Sequence, residues 1–347
     1  MSIGDIDSWL NKAEDGIKEY LLEAQRLDRI DQQLFDYAIA NVIPNLRGWL
    51  LNSDVDRISP VLKQGVINAI QQGQWENLVN AYRQFVPFGT GGIRAMMAFD
   101  RQSIEDLKSR GFDAPILKGP NTINELLLLL TSVGVARFGK DQSPAFSKVV
   151  IGCDCRIRGM DLARIVGELF LANGYTVYFF DEPVPYPEVT YAIPDKHIRA
   201  HVGIFISASH NDYRYNGYKL SCSNGSQFDP EQRDRMYEEY IRTAEPGDIQ
   251  LCAFADAPAE KLIFLGGAAP LPEFDYLGRE DSIIDMHERH CNHVKSFLLT
   301  PNLAEQQEKT DNPVQIGYCA FHGSGTKAVP RLLREVGFRP QLVRQIT

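Results

Sequence analysis

Val202-Gly203-Ile204-Phe205-Ile206 runs directly into Ser207-Ala208-Ser209-His210-Asn211, and Asn216-Gly217-Tyr218-Lys219 follows, with Lys219 ten residues beyond Ser209. The first five residues favour β structure, and the next five are small or polar with no apolar period. The chain therefore reads as a buried strand that empties into a loop. The Asn-Gly pair predicts a tight turn that returns a second strand beside the first. A hydroxyl, an imidazole and an ammonium group then meet at one strand end. On composition alone the same residues also describe an ordinary polar hairpin loop, since Ser, Asn and His are common loop residues. A serine hydrolase fits poorly. The chain has no G-x-S-x-G elbow, and a histidine adjacent in sequence to its serine is badly placed to take the hydroxyl proton.

Upstream, Lys148 to Cys153 is a compact β-branched strand ending at Asp154-Cys155-Arg156. Gly159 to Asn173 then sets Leu162, Ile165, Val166, Leu169 and Phe170 at helical spacing, Gly174 stops the helix, and Thr176 to Phe180 is the next strand. This is a βαβ unit, and open α/β sheets place ligands just past the carboxyl ends of parallel strands. Asp154 and Arg156 are either ligand contacts there or a local ion pair. Pro183, Pro185 and Pro187 predict a stiff extended connection toward the serine-loop strand.

Earlier still, Phe88-Gly89-Thr90-Gly91-Gly92-Ile93-Arg94 concentrates glycine, which lets backbone amides approach an anion while Arg94 offers a fork. A plain glycine turn is the competing reading. Asp100 to Lys118 reads as a surface loop, and Thr122 with Glu125 as a capping box opening an apolar helix to Phe138. From Ile6 to about Phe85 the signal is helical: Ile6, Leu10, Ala13 and Ile17 recur on one face, Pro44 interrupts a second helix, and Ser59-Pro60 marks another start. Trp9, Trp49 and Trp75 read as packing residues of this arm.

Downstream, Asp229-Pro230-Glu231 reads as N-cap, first-turn proline and acidic first turn of a helix to about Thr243, and Pro246-Gly247-Asp248 marks a domain boundary. Gly266-Gly267 and Pro270 to Pro272 are loop signals, and Asp281 to Leu298 is helical. His287, His290, Cys291 and His293 suggest a metal site, but His293 drifts off the face that His287 and His290 share, so a solvated helix is the expectation. Val314 to Phe321 reads as a strand, followed by His322-Gly323-Ser324-Gly325-Thr326 and a helix toward Val336.

At 347 residues the chain has room for two domains, and 44% hydrophobic with 23% charged residues is a soluble globular composition. A formal charge of -9 argues against nucleic-acid or anionic-membrane partners while allowing a locally basic pocket. The acidic N-terminus has no secretory h-region, and the longest apolar run, Leu126 to Leu130, is too short to span a bilayer. A cytoplasmic protein is expected. The six cysteines form no CxxC pair and read as reduced thiols.

The serine loop resembles that of the α-D-phosphohexomutases, the phosphoglucomutase and phosphomannomutase family, whose motif is Thr-(Ala/Gly)-Ser-His-Asn-Pro followed by Asn-Gly-(Tyr/Phe)-Lys at this spacing. Ser207 replaces Thr and keeps a hydroxyl; Asp212 replaces Pro and places a negative charge near a phosphate-binding residue. The stretch from Phe88 to Arg94 resembles the family's opening motif, Gly152 to Arg156 its Gly-x-Asp-x-Arg, and His322 to Gly325 its second-domain His-Gly-x-Gly loop. The long helical start is closer in look to the larger phosphoglucomutase and phosphopentomutase branch.

The resemblance implies an α/β fold: a mixed-sheet α/β/α phosphohexomutase domain 1 over 86–245, an incomplete domain 2 over 246–347, and a helical N-terminal arm over 1–85. It implies a phosphosugar mutase in which phosphorylated Ser209, Lys219 and His210 are catalytic. Arg94, Asn211, Asp154, Arg156 and His322 bind substrate, a phosphorylated hexose or pentose. Mg²⁺ would be met by Ser209 through its phosphate, because the family's Asp-x-Asp-x-Asp loop does not occur in this chain. Glucose 1,6-bisphosphate or an equivalent sugar bisphosphate would be the activator. The expectation is the N-terminal portion of a mutase, inactive without its C-terminal half as partner; a non-catalytic phosphosugar-binding fragment is the alternative.

Overall fold

The computed structural model describes residues 3–266 and 282–342. The chain divides into two compact units, the first made of Met1–Gln142, Ser207–Lys219 and Asp229–Gln250, the second of Ser143–Ile206, Leu220–Phe228 and Leu251–Thr347.

The first unit opens with helices α1 (Ile3–Arg26), α2 (Gln32–Leu51), α3 (Ser53–Ile58), α4 (Leu62–Gln71) and α5 (Trp75–Tyr82). In α1 the residues Ile6, Leu10, Ala13, Ile17, Leu21 and Ala24 are all buried, the stripe of an amphipathic helix. Pro44 does not interrupt α2. The helix runs through it with Val42, Leu46 and Leu50 buried on either side, and that packing offsets the missing amide hydrogen bond. Ser59 closes α3 instead of opening a helix, and α4 starts at Leu62. Trp49 is buried with its ring edge-on to Tyr82 at 6.0 Å.

After β1 (Gly92–Met96) the expected surface loop contains a helix, α6 (Arg101–Arg110). Asp100 caps it, accepting the Ser103 amide at 2.8 Å, and only Ile104 and Leu107 are buried. With so few apolar residues the helical period is hidden under charge. Helix α7 (Glu125–Lys140) is capped by Asn124, whose Oδ1 accepts the Leu127 amide at 2.9 Å; Thr122 is instead hydrogen-bonded to Gly119. Glu125, the first residue of α7, is buried with Lys118 at 2.6 Å and accepts the Ser59 hydroxyl.

The second unit contains β2 (Lys148–Cys153), α8 (Gly159–Ala172), β3 (Thr176–Phe179), α9 (Tyr186–Ala192) and β4 (Val202–Ile206). β2 is parallel to both β3 and β4, with Val149 opposite Val177 on one side and Val202 on the other. Strands buried on both faces read as continuous apolar runs, as these do. The three prolines do not form one extended strap: Pro185 caps α9 and Pro187 occupies its first turn, where no amide donor is needed.

Strand β5 (Tyr215–Cys222) contributes to both units. In the first, its residues 215–219 are antiparallel to β1; in the second, the order is β5-β4-β2-β3-β6, where β6 (Leu262–Phe264) is parallel to β3. The fold is thus α/β with a mixed sheet. Helix α10 (Pro230–Arg235) of the first unit starts at Asp229, whose carboxylate accepts the Gln232 amide at 2.9 Å, and a π-helical turn over 236–241 packs on α7 at Gly134.

The second unit ends with α11 (Met286–Lys295), α12 (Leu303–Glu308), β7 (Gly317–Tyr318), α13 (Gly325–Glu335) and β8 (Gln341–Leu342). The strand expected over 314–321 shrinks to two residues, because β8 is its one partner among the described residues and is equally short. The loop signals at Gly267, Pro270 and Pro272, and the helix start expected at Asp281, lie outside the described residues. Among the described residues no helix is long and apolar enough to cross a membrane.

Candidate functional site

In the first unit the serine loop is built from its own backbone outward. The Ser207 amide donates to the Gly217 carbonyl at 3.0 Å, Ser207 Oγ accepts the Ser209 amide at 3.0 Å, and the Ala208 carbonyl accepts the Asn211 amide at 3.2 Å. This closes a tight turn over 208–211 whose second residue, Ser209, has φ +59°. That left-handed conformation is strained for serine, whereas glycine adopts it freely. Ser209 and His210 are exposed, and Ser209 Oγ lies 3.4 Å from His210 Nδ1, the outer limit of a hydrogen bond.

The β1–β5 ribbon sets two cations beside this loop in sequence and register. Arg94 stands opposite Gly217 and Gly92 opposite Lys219, so the Arg94 and Lys219 side chains share one face of the ribbon. Buried Ile93 and Tyr218 pair on the other face. An Arg94 guanidinium nitrogen donates to Asn211 Oδ1 at 2.8 Å, so the structure joins two of the expected site residues directly. Asn216-Gly217 is not a turn. Gly217 lies inside β5, where a Cβ would come within 2.6 Å of both the Ile93 and Ser207 carbonyl oxygens. Glycine is required here for close approach of three backbone segments. At Gly89 to Gly92 the two terminal glycines exchange backbone hydrogen bonds at 2.8 and 3.3 Å, which makes the glycine-rich stretch a closed turn leading into β1.

Asp154, Arg156 and His322 lie in the second unit. Arg156 Nε is 3.3 Å from Asp154 Oδ2, and the Arg156 amide donates to Asp154 Oδ1 at 3.1 Å, so the two form a local ion pair just past β2. Between them Cys155 donates its thiol to the His322 carbonyl at 2.8 Å, and Phe321 and His322 both have positive φ. Burial, followed by the charge of Asp154, raises the Cys155 pKa. No sequence signal points to Cys155, since its partner is 167 residues away and is a backbone atom.

The histidine helix α11 is not solvated along the face that carries His287. His287 Nδ1 is 2.5 Å from Glu188 Oε1 and its Nε2 is 3.0 Å from Glu182 Oε1, with Lys327 also paired to Glu182. Burial pushes the His287 pKa down, but the two carboxylates, Glu182 ahead of Glu188, outweigh it and hold it at about 10. Glu182 is drawn down to about 2, chiefly by His287. These groups line a cavity of about 720 Å³ with Arg331, Val294 and Leu342. Among the described residues no group of three or more His, Cys, Asp or Glu side chains has the arrangement to hold a metal ion.

Residues 110–246 match the family model for phosphoglucomutase/phosphomannomutase, alpha/beta/alpha domain I. The phosphoribomutase of Saccharomyces cerevisiae is 29% identical over 191 residues, covering 54% of this chain and 27% of its own length. A phosphoglucomutase of Staphylococcus haemolyticus is 23% identical over 252 residues, covering 73% and 37%. The chain thus spans between about a quarter and just over a third of the length of these relatives. Among solved structures, a putative phosphomannomutase from Thermus thermophilus superposes with a TM-score of 0.51 at 17% identity, covering 75% of this chain and 46% of that one, a likeness of fold.

Proposed function

Through residues 110–246 the chain belongs to the phosphoglucomutase/phosphomannomutase family, and from that premise we propose that it carries the phosphoryl-accepting serine of a phosphosugar mutase. Ser209 is that acceptor. The observation that carries the reading is the conformation of Ser209: an exposed hydroxyl held at φ +59° on a turn closed by its own amide and that of Asn211. Strain of this kind persists where the surroundings over-determine it, and it concentrates at functional positions. The relatives named phosphoribomutase and phosphoglucomutase favour a substrate among phosphorylated pentoses and hexoses.

In the proposed reaction a sugar hydroxyl attacks the phosphorus of phospho-Ser209. A P–O bond forms to the sugar as the bond to Ser209 Oγ breaks, and the hydroxyl proton passes to a base. The product is a sugar bisphosphate, and the reverse step with its other phosphoryl group regenerates phospho-Ser209 and leaves the isomeric monophosphate. Such transfers depend on positioning and charge neutralisation more than on covalent assistance. Lys219 serves as the acid/base or as a cation on the transferring group, and Arg94, fixed by Asn211, faces the phosphate. His210 orients the phosphoserine. In the second unit Arg156 holds the loop after β2 through Asp154, and His322 is assigned to substrate contact on the loop before α13. Magnesium would supply further neutralisation at the phosphoryl oxygens, but among the described residues no group of three or more His, Cys, Asp or Glu side chains offers it a ligand set.

The test is a burst measurement. Mixed with excess glucose 1,6-bisphosphate, the chain should release about one equivalent of glucose monophosphate per Ser209, read by a coupled dehydrogenase, while Ser209→Ala releases none. Absence of the burst in the wild-type chain would overturn the reading.

A further inference from the structure

Asp212 is the second departure from the serine-loop motif, and its surroundings show what replaces the ring constraint of proline. Asp212 Oδ1 accepts the Arg214 amide at 2.9 Å and Arg214 Nε at 3.1 Å, while Oδ2 accepts Arg214 Nη2 at 2.9 Å. The Asp212 carbonyl accepts the Tyr215 amide at 3.2 Å, and the Arg214 carbonyl accepts the Met97 amide at 2.7 Å. The result is an Asx turn whose carboxylate is gripped by a two-pronged guanidinium and whose backbone is anchored just beyond β1. Asp212 and Arg214 side chains are 43% and 37% exposed, so a pair of this kind contributes little to folding stability. Its geometry is nonetheless more complete than a surface ion pair requires.

Resting on the assignment of Ser209 as phosphoryl acceptor, we propose that the Asp212–Arg214 fork is a positioning device of the serine loop. It closes the loop behind Asn211 as proline otherwise does, and it neutralises a carboxylate that would repel a phosphoryl group arriving three residues away. Arg214 therefore acts through Asp212. Without Arg214 the carboxylate loses its fork beside the site of an incoming dianion.

The experiment measures the rate of phosphoryl uptake from glucose 1,6-bisphosphate by the full chain, alongside thermal melting of each variant. Arg214→Ala should slow uptake about fivefold through screened repulsion, with a melting midpoint close to wild type. The loss should shrink in high salt. Adding Asp212→Asn to Arg214→Ala removes the charge, keeps the side-chain acceptor for the turn, and should restore most of the rate. A role in folding alone would give no such recovery. Arg214→Ala with wild-type uptake, or a double variant as slow as the single, would overturn this inference and leave the Ser209 assignment intact. A wild-type chain that takes up no phosphoryl group would overturn both.

Discussion

The guanidinium of Arg94 holds the side-chain carbonyl of Asn211 at 2.8 Å across 117 residues of sequence. That contact ties β1 to the turn carrying Ser209, and Lys219 shares the ribbon face of Arg94, two cations on one face in a chain whose net charge is negative.

Ser209 bears a backbone cost, its φ of +59°. Ser209→Gly should relieve it and Ser209→Ala should not, because alanine also has a Cβ in the left-handed region. The glycine variant is expected to be more stable than the alanine variant by about 1 kcal/mol in urea unfolding. Both should fail to accept a phosphoryl group. Equal stabilities would exclude strain at this position.

Gly217 stands where three backbone segments converge. In Gly217→Ala the new methyl meets two carbonyl oxygens at 2.6 Å, so β1 or the serine loop must move. A loss of about 1–3 kcal/mol is expected, with phosphoryl uptake falling further than stability alone explains. Denaturant midpoints and the burst amplitude measured on one preparation check the pair of effects.

Lys118 and Glu125 are buried together at 2.6 Å, with Ser59 of the helical arm on the same carboxylate. Lys118→Met strands a buried negative charge and should cost about 3–5 kcal/mol. Adding Glu125→Leu removes that charge and should recover most of the loss. The recovery, measured by thermal melting, distinguishes charge burial from simple loss of packing.

His287 and Glu182 make the second unit pH-sensitive at both ends. The folded-state His287 pKa of about 10 lies above its ordinary 6.5, so its contribution is complete below pH 6.5 and is lost as pH rises toward 10. The folded-state Glu182 pKa of about 2 lies below its ordinary 4.5, so its contribution is complete above pH 4.5 and is lost as pH falls toward 2. The melting temperature of wild type should exceed that of His287→Gln most between about pH 4.5 and 6.5. A difference independent of pH would exclude this linkage.

The parallel strands are legible in the sequence because each is a short apolar run bounded by loop residues; β2 and β4 begin and end where their composition changes. The Asp229 cap is legible because cap, proline and acidic turn act within one stretch of chain. Gly217 misleads because Asn-Gly is a local turn signal, whereas the demand for glycine comes from carbonyls of Ile93 and Ser207, which are distant in sequence or across the loop. Helix α6 escapes sequence reading because its exposed face is crowded with charge. His287 looks solvated in sequence because its partners, Glu182 and Glu188, lie about a hundred residues upstream. Of the candidate site, the serine loop is legible as a motif, while the Arg94 contact with Asn211 and the Arg214 grip on Asp212 depend on side-chain directions that no spacing rule contains.

Whether Ser209 accepts a phosphoryl group is tested most directly by intact-mass spectrometry. The purified chain is weighed before and after incubation with glucose 1,6-bisphosphate, and the modified peptide is mapped by fragmentation. The expected result is a gain of one phosphoryl group, located on Ser209 and absent from Ser209→Ala. An unchanged mass, or a phosphoryl group mapped to another residue, would contradict the assignment.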